Sequence, residues 1–314
     1  MQTRLRIGTR GSALALAQTN MFVAALARAH GWSAQEAASR TEIVTIKTTG
    51  DRVQDRPLYD IGGKGLFAKE LEEALLEGRI DAAVHSLKDL PGLLPEGFKI
   101  ACHLPREDAR DVLVAKSAKS LHDLPNAAVV GTSSVRRRAM LLHARPDLTL
   151  TIFRGNVDTR LRKIASGEAD ATILALAGLK RLGLEAHAAH VFSHAEMLPA
   201  VAQGAIGIEV LAANAKIIDL LAPANDNTAD LPVTLERAFL ARLDGSCRTP
   251  IAGLATWREG STLAFAGCAL SPDGRTRFDV TRTATISTAE EATRCGDDAG
   301  RELAAQAGRD FFQV

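Results

Sequence analysis

The chain has 314 residues, 46% of them hydrophobic and 24% charged, and a formal net charge of +1 from 38 Lys+Arg against 37 Asp+Glu. This balance belongs to a globular protein of two or three domains and excludes wholesale disorder, collagen-like and coiled-coil architectures. A surface built to grip nucleic acid or anionic lipid throughout would be more basic, so any anion site must be a local cluster.

Arginine supplies 28 of the 38 cationic residues. A GC-rich genome explains that as well as a need for guanidinium forks around carboxylates or phosphates, and only position can decide. Cys102, Cys247, Cys268 and Cys295 lie far apart without C-x-x-C or zinc spacing. They read as free thiols in a reducing compartment, with no metal centre. No secretory h-region and no apolar run of about 18–20 residues is visible, so a soluble cytoplasmic protein is expected.

In chain order, Leu5-Arg6-Ile7-Gly8-Thr9 predicts a short strand, and Ser12 opens an apolar-periodic helix through Leu26. Glu42 to Lys47 alternates as a strand. Residues 48–65, rich in Gly, Asp and Arg, predict a mobile loop. Leu66 to Glu77 is amphipathic and stops at Gly78, before a strand over Asp81 to His85. The pattern then repeats. Val129-Val-Gly-Thr-Ser133 echoes Ile7-Gly8-Thr9, Leu148 to Phe153 is the next strand, a helix marked by Val157, Leu161 and Ile164 ends at Gly167, and Asp170 to Ile173 echoes Asp81 to Val84. Two related α/β domains follow from this repetition. Pro223 to Asp230 reads as a polar linker, and Leu235 to Leu243 as a helix. Strands start at Ile251, Leu263 and Arg277, separated by Glu259-Gly260 and Asp273-Gly274 turns, and a capping box Ser287-Thr-Ala-Glu290 opens a last helix. The third part is a smaller α+β domain.

Three segments place Arg and Ser/Thr where a strand enters a helix: Gly8-Thr9-Arg10-Gly11-Ser12, Gly131-Thr-Ser-Ser-Val-Arg-Arg-Arg138 and Arg154-Gly-Asn-Val-Asp-Thr-Arg160. Free backbone N–H groups there favour an anion, and the guanidiniums add clamps. The bland alternative, favoured for any one segment, is that Ser and Thr merely cap helices. Three in corresponding parts of two domains point to a polyanionic ligand in an inter-domain cleft. In Val84-His-Ser-Leu-Lys-Asp89-Leu-Pro91 an acid at a strand's carboxyl edge is placed to stabilise a developing cation or relay a proton, although a lone surface ion pair contributes little. Cys247, in the turn-rich Leu243-Asp-Gly-Ser-Cys-Arg-Thr-Pro250 with Arg242 and Arg248 nearby, is the candidate nucleophile or attachment point. Cys102, Cys268 and Cys295 read as buried small hydrophobes. His187, His190 and His194 follow helical spacing, but no acid or cysteine motif supports a metal. Gly62-Gly-Lys-Gly65 lacks the phosphate-loop frame, and Arg136-Arg-Arg138 lacks the aromatics of a nucleic-acid patch. A binding module of solute-receptor type remains the rival to an enzyme.

Taken in order, these segments resemble the porphobilinogen deaminase (hydroxymethylbilane synthase) family. The blocks are Arg-Ile-Gly-Thr-Arg-Gly-Ser (6–12), Gly-Gly-Lys-Gly-Leu-Phe-Ala-Lys-Glu-Leu (62–71), Ala-Val-His-Ser-Leu-Lys-Asp-Leu-Pro (83–91), Arg-Glu-Asp-Ala-Arg-Asp (106–111), Gly-Thr-Ser-Ser-Val-Arg-Arg (131–137), Arg-Gly-Asn-Val-Asp-Thr-Arg-Leu (154–161), Leu-Pro-Ala-Val-Ala-Gln-Gly-Ala (198–205) and Asp-Gly-Ser-Cys-Arg-Thr-Pro-Ile (244–251). The resemblance implies two domains of type II periplasmic-binding-protein topology, residues 1–104 with 200–222 and residues 105–199, and a third, 227–314, bearing the cofactor cysteine. It implies that four porphobilinogens are joined head to tail, with loss of four ammonias, into the linear hydroxymethylbilane on a covalent dipyrromethane primer. Matched by position, the thioether belongs to Cys247 and the catalytic carboxylate is Asp89. Cofactor contacts fall to Ser86, Lys88, Asp89, Thr132, Ser134, Arg136, Arg137, Arg160 and Gln203. Substrate contacts fall to Arg10, Ser12, Arg154, Arg160 and Arg181, with Lys64 and Phe67 at the end of the mobile loop. Ala202 stands where a glycine is common. A monomer acting on a small molecule is expected, with neither nucleic acid nor membrane as partner.

Overall fold

The computed structural model describes residues 4–52, 65–243 and 249–312. Its elements are β1 (Leu5–Thr9), α1 (Ala13–His30), α2 (Ala34–Arg40), β2 (Thr41–Thr45), α3 (Thr49–Arg52), α4 (Lys69–Leu76), β3 (Ala82–Ser86), β4 (Phe98–His103), β5 (Asp111–Ala115), β6 (Val129–Gly131), α5 (Val135–Ala144), β7 (Thr149–Thr151) and α6 (Val157–Ser166). They continue as β8 (Ala171–Ala175), α7 (Leu176–Leu182), β9 (His190–Val191), β10 (Ile206–Leu211), α8 (Ala215–Leu221), α9 (Asn227–Arg242), β11 (Ile251–Trp257), β12 (Thr262–Leu270), β13 (Arg277–Thr285) and α10 (Ala289–Ala307). Among the described residues, no helix is long and apolar enough to cross a membrane.

The chain divides into two compact units, one formed by residues up to 107 with 205–230, the other chiefly by 108–204 with 231–314. The first holds a mixed sheet in the order β2-β1-β3-β10-β4, the second a mixed sheet in the order β7-β6-β8-β5-β9. In each, the second strand in the sheet order is parallel to both neighbours, with Ile7–Gly8 against Ala82–Ala83 and Val130–Gly131 against Ala171–Thr172. In each, the third strand in the sheet order pairs antiparallel with the fourth, β10 after β3 and β5 after β8. The repeated Ile-Gly and Val-Gly motifs thus occupy equivalent central strands. Gly131 is required by close approach, because a Cβ there would lie 2.3 Å from the Phe153 ring.

The third sheet, β11-β12-β13, is antiparallel and belongs to the second unit. Its Ala252, Leu254, Cys268 and Leu270 share one core with Leu113, Met140, Leu141 and Ile173. The α/β class with two sheet-and-helix parts and a smaller C-terminal α+β part is therefore as the sequence implies.

Local differences have physical causes. The supposed linker 223–230 is largely helical: α9 starts at Asn227 and contains Pro232. Buried Ala229, Val233, Glu236 and Phe239 continue one helical face behind that polar first turn. The last helix is capped one residue later than expected, by Thr288 with Glu291 closing the box. The three histidines share no helix face, because His187 ends a 3-10 turn and His190 sits in β9, 3.0 Å from Glu196. In the segment expected to be a loop, residues 49–52 form α3, and residues 53–64 lie outside the described residues.

Candidate functional site

In the first unit the candidates gather where β1 and β3 end. Ser12 caps α1, its hydroxyl accepting from Ala15 N–H at 3.2 Å, so this side chain serves the helix. Arg10, two residues earlier, turns back under α3. Its Nε donates to both Asp51 oxygens at 3.2 Å and its Nη2 to Oδ1 at 2.5 Å, while its guanidinium lies 4.1 Å over the Phe67 ring. Burial alone would raise the Asp51 carboxyl, but Arg10 and the Thr48 hydroxyl outweigh it and hold it below its usual range.

β3 carries Ser86, whose hydroxyl exchanges hydrogen bonds with Gln18 at 2.7 and 3.1 Å. A 3-10 turn, Leu87–Asp89, follows and presents Lys88 and Asp89. Asp89 Oδ2 is 3.9 Å from Arg10 Nη1, and its side chain is 34% exposed, more open than a carboxylate meant to work in a dry pocket. Behind this turn, His85 Nε2 stands 2.9 Å from Glu209 Oε2, both buried.

The second unit gathers the other candidates around an acid to which the sequence reading gives no role. Asp111, at the start of β5, is fully buried. Its Oδ2 accepts from Arg136 Nη2 at 2.6 Å, and its Oδ1 accepts from Arg137 Nη2 at 2.7 Å and Gln203 Nε2 at 2.8 Å. Arg136 Nη1 donates to the Leu198 carbonyl at 2.8 Å and Arg137 Nη1 to the Ile173 carbonyl at 2.9 Å. Burial would raise the Asp111 carboxyl, yet the two guanidiniums hold it well below the carboxylate range. Neither Nε–H has an acceptor among the described residues. Two buried cations against one anion leave a net positive charge and two spare donors, which favours an acidic ligand. These arginines are thus neither solvated nor simply open clamps.

Ser134 caps α5, accepting from Arg137 N–H at 3.4 Å, and Thr132 is buried with its hydroxyl accepting from Ser134 N–H at 3.2 Å. Arg154 is buried after β7, and Arg160 on α6 donates from Nε to the Gly155 carbonyl at 3.0 Å. Arg181, in the last turn of α7, donates to the Gly204 carbonyl at 2.5 Å, one residue from Gln203. Ala202, just before Gln203, takes a left-handed φ of 58°, a conformation that glycine adopts most readily. Its N–H is held by Glu236 at 2.7 Å.

Cys247 and Lys64 lie outside the described residues. Burial pushes the Cys102 and Cys268 thiols up to about 12 each, which makes them inert, and also raises that of partly buried Cys295. The acids at 51 and 111 were missed because a carboxylate beside Thr-Gly or Arg reads as a surface pair. Only the Arg-Glu-Asp-Ala-Arg-Asp block gave any signal.

Residues 5–219 match the family model described as porphobilinogen deaminase, dipyromethane cofactor binding domain, and residues 231–305 match that of the porphobilinogen deaminase C-terminal domain. The chain belongs to the porphobilinogen deaminase family. The porphobilinogen deaminase of Paracoccus denitrificans is 53% identical over 99% of this chain and 97% of its own, and that of Nitrobacter hamburgensis is 52% identical over 98% and 95%. Among solved structures, the L-cystine solute receptor of Neisseria gonorrhoeae, unliganded and open, is 16% identical over 71% of this chain and 86% of its own, with a TM-score of 0.39. The chain is a transferase of tetrapyrrole biosynthesis that acts on porphobilinogen and uses a dipyrromethane cofactor.

Proposed function

We propose that Cys247 carries the dipyrromethane through a thioether and that Asp89 is the catalytic carboxylate in assembling hydroxymethylbilane. Cofactor carboxylates fall to Ser86, Lys88, Thr132, Ser134, Arg136, Arg137, Arg160 and Gln203, and substrate carboxylates to Arg10, Ser12, Arg154, Arg160 and Arg181. The observation that carries this reading is the pair of buried Nε–H donors on Arg136 and Arg137, which have no acceptor among the described residues. An acidic group of the cofactor fits them, because it supplies both the missing acceptors and the missing negative charge. The cofactor supplies a free pyrrole α-carbon for chain growth.

The remaining chemistry belongs to the chain's own side chains. Loss of ammonia from porphobilinogen leaves a cationic azafulvene, and positive charge develops on pyrrole nitrogen. Asp89 would offset that charge, and its position on a short 3-10 turn 3.9 Å from Arg10 supports the reading. Arg10 neutralises a substrate carboxylate and so keeps the incoming ring oriented. The near-zero net charge supports a small-molecule partner rather than nucleic acid or membrane. We read the chain as a cytoplasmic monomer.

Intact-mass measurement of the purified protein is the test. The expected mass exceeds that of the sequence by two pyrrole units, resists dithiothreitol, and returns to the sequence mass in Cys247→Ser. Asp89→Asn should keep the adduct and lose roughly 10²–10³ in turnover. An unmodified Cys247 in active protein overturns the attachment, and near-normal turnover in Asp89→Asn overturns the role of Asp89.

A further inference from the structure

Arg10 is held along one edge and over one face. The edge formed by Nε and Nη2 is filled by the Asp51 carboxylate, the guanidinium face lies over Phe67, and Nη1 points toward Asp89. The contact with Asp89, at 3.9 Å, is too long for a hydrogen bond. Among the described residues Asp51 therefore makes the one forked carboxylate contact that Arg10 has, and it makes it with the same functional group that porphobilinogen carries on its acetate and propionate arms.

We propose that Asp51 is an internal stand-in for a substrate carboxylate on Arg10, so that substrate binds by exchanging one carboxylate for another. The inference rests on the reading of Arg10 as a substrate-holding residue. The local geometry suits such an exchange. α3 does not depend on Arg10 for its position: Thr49 N–H and Oγ1 donate to Glu70 Oε1 at 2.7 and 2.5 Å, and Gly50 N–H donates to the Leu66 carbonyl at 3.0 Å. Release of the fork leaves these Thr49 and Gly50 contacts in place. The freed carboxylate keeps a partner in Thr48 Oγ1, now 2.8 Å from Oδ2. Arg10 and Asp51 are also 23% and 29% exposed, so water reaches both during the exchange. The resting enzyme thereby keeps Arg10 oriented and charge-balanced, at a cost in apparent affinity for substrate.

Asp51→Asn removes the competing charge while keeping the size of the side chain. An ion pair this exposed is worth at most about fivefold in an equilibrium, so the expected result is a KM for porphobilinogen lowered about three- to fivefold, kcat within twofold, and kcat/KM raised accordingly. Asp51→Glu, which restores the charge, should return KM to within twofold of the parent. Arg10→Ala should raise KM, and adding Asp51→Asn to it should change nothing further, since no fork remains to compete for. Far-UV circular dichroism on each variant checks the fold. If Arg10→Ala raises KM but Asp51→Asn raises it too or leaves it unchanged, Asp51 orients Arg10 without competing, and the inference falls while the role of Arg10 stands. If Arg10→Ala leaves KM unchanged, the role of Arg10 fails and the inference goes with it.

Discussion

Replacing Asp111 by asparagine tests whether the buried guanidinium pair is held by this one carboxylate. The acid is fully buried and accepts three hydrogen bonds, from Arg136, Arg137 and Gln203, at 2.6 to 2.8 Å. An amide keeps the shape but removes the charge, leaving two buried cations without a counter-ion. Breaking a buried pair in this way costs about 3–5 kcal/mol. At roughly 2–4 °C per kcal/mol for a unit of this size, the unfolding midpoint should fall by about 6–20 °C. A pH series separates lost charge from a mere packing defect. The folded carboxyl of Asp111 lies well below its unfolded value of about 3.9, so its stabilisation is complete above that pH and is lost as pH falls through the folded value. Calorimetry should therefore show a constant gap between parent and variant from pH 5 to 8 that narrows below about pH 4. A gap under about 2 °C at pH 7, or one that stays wide in acid, would refute the reasoning.

Two further substitutions probe other parts of the fold. Gly274 takes a φ of 73° in the β12–β13 turn, and a Cβ there would lie 2.4 Å from the Ala139 carbonyl of α5. Gly274→Ala should therefore cost about 2–4 kcal/mol from strain and displaced backbone, read as a lower urea midpoint at unchanged slope, and an unchanged midpoint would mean the turn is not docked on α5. The Glu72 carboxyl is pushed up to about 6 by burial and by nearby Glu209. Its folded value exceeds the unfolded one, so stability falls as pH rises between them. Glu72→Gln should be neutral near pH 4 and stabilise by about 1 kcal/mol at pH 7.5, allowing for the solvent that reaches this half-buried group, and a variant no more stable at pH 7.5 would count against it.

Much of the fold was legible because its repeated unit carries its own punctuation. Ser12, Ser134 and Asn156 each follow a strand and cap the next helix, and Gly31, Gly167 and Gly183 end helices in the left-handed conformation. Such signals are local, and so is the capacity of a sequence to show them. The start of α9 was not legible, since a polar first turn ahead of an internal proline looks like a linker until the burial of Ala229 and Val233 is known. Strand β10 was not legible either, because its place between β3 and β4 is set by pairing with segments over a hundred residues earlier.

The site divides along the same line. The arginines at 10, 136, 137, 154 and 160 were legible, since arginines at strand-to-helix turns advertise an anion. Their counter-ions were not, since Asp51 and Asp111 meet Arg10 and Arg137 across 41 and 26 residues. Yet the counter-ions decide how the arginines behave. A guanidinium stored without a partner in a protein interior is expensive, and one stored with a full complement binds nothing. The second unit sets one acid against two buried arginines, which leaves two Nε–H donors without an acceptor among the described residues. The first unit pairs one acid with one partly exposed arginine, an arrangement that a transient substrate can displace. If the proposed roles hold, the partly exposed pair suits a carboxylate that is replaced with each incoming ring, and the buried triad suits a ligand that stays.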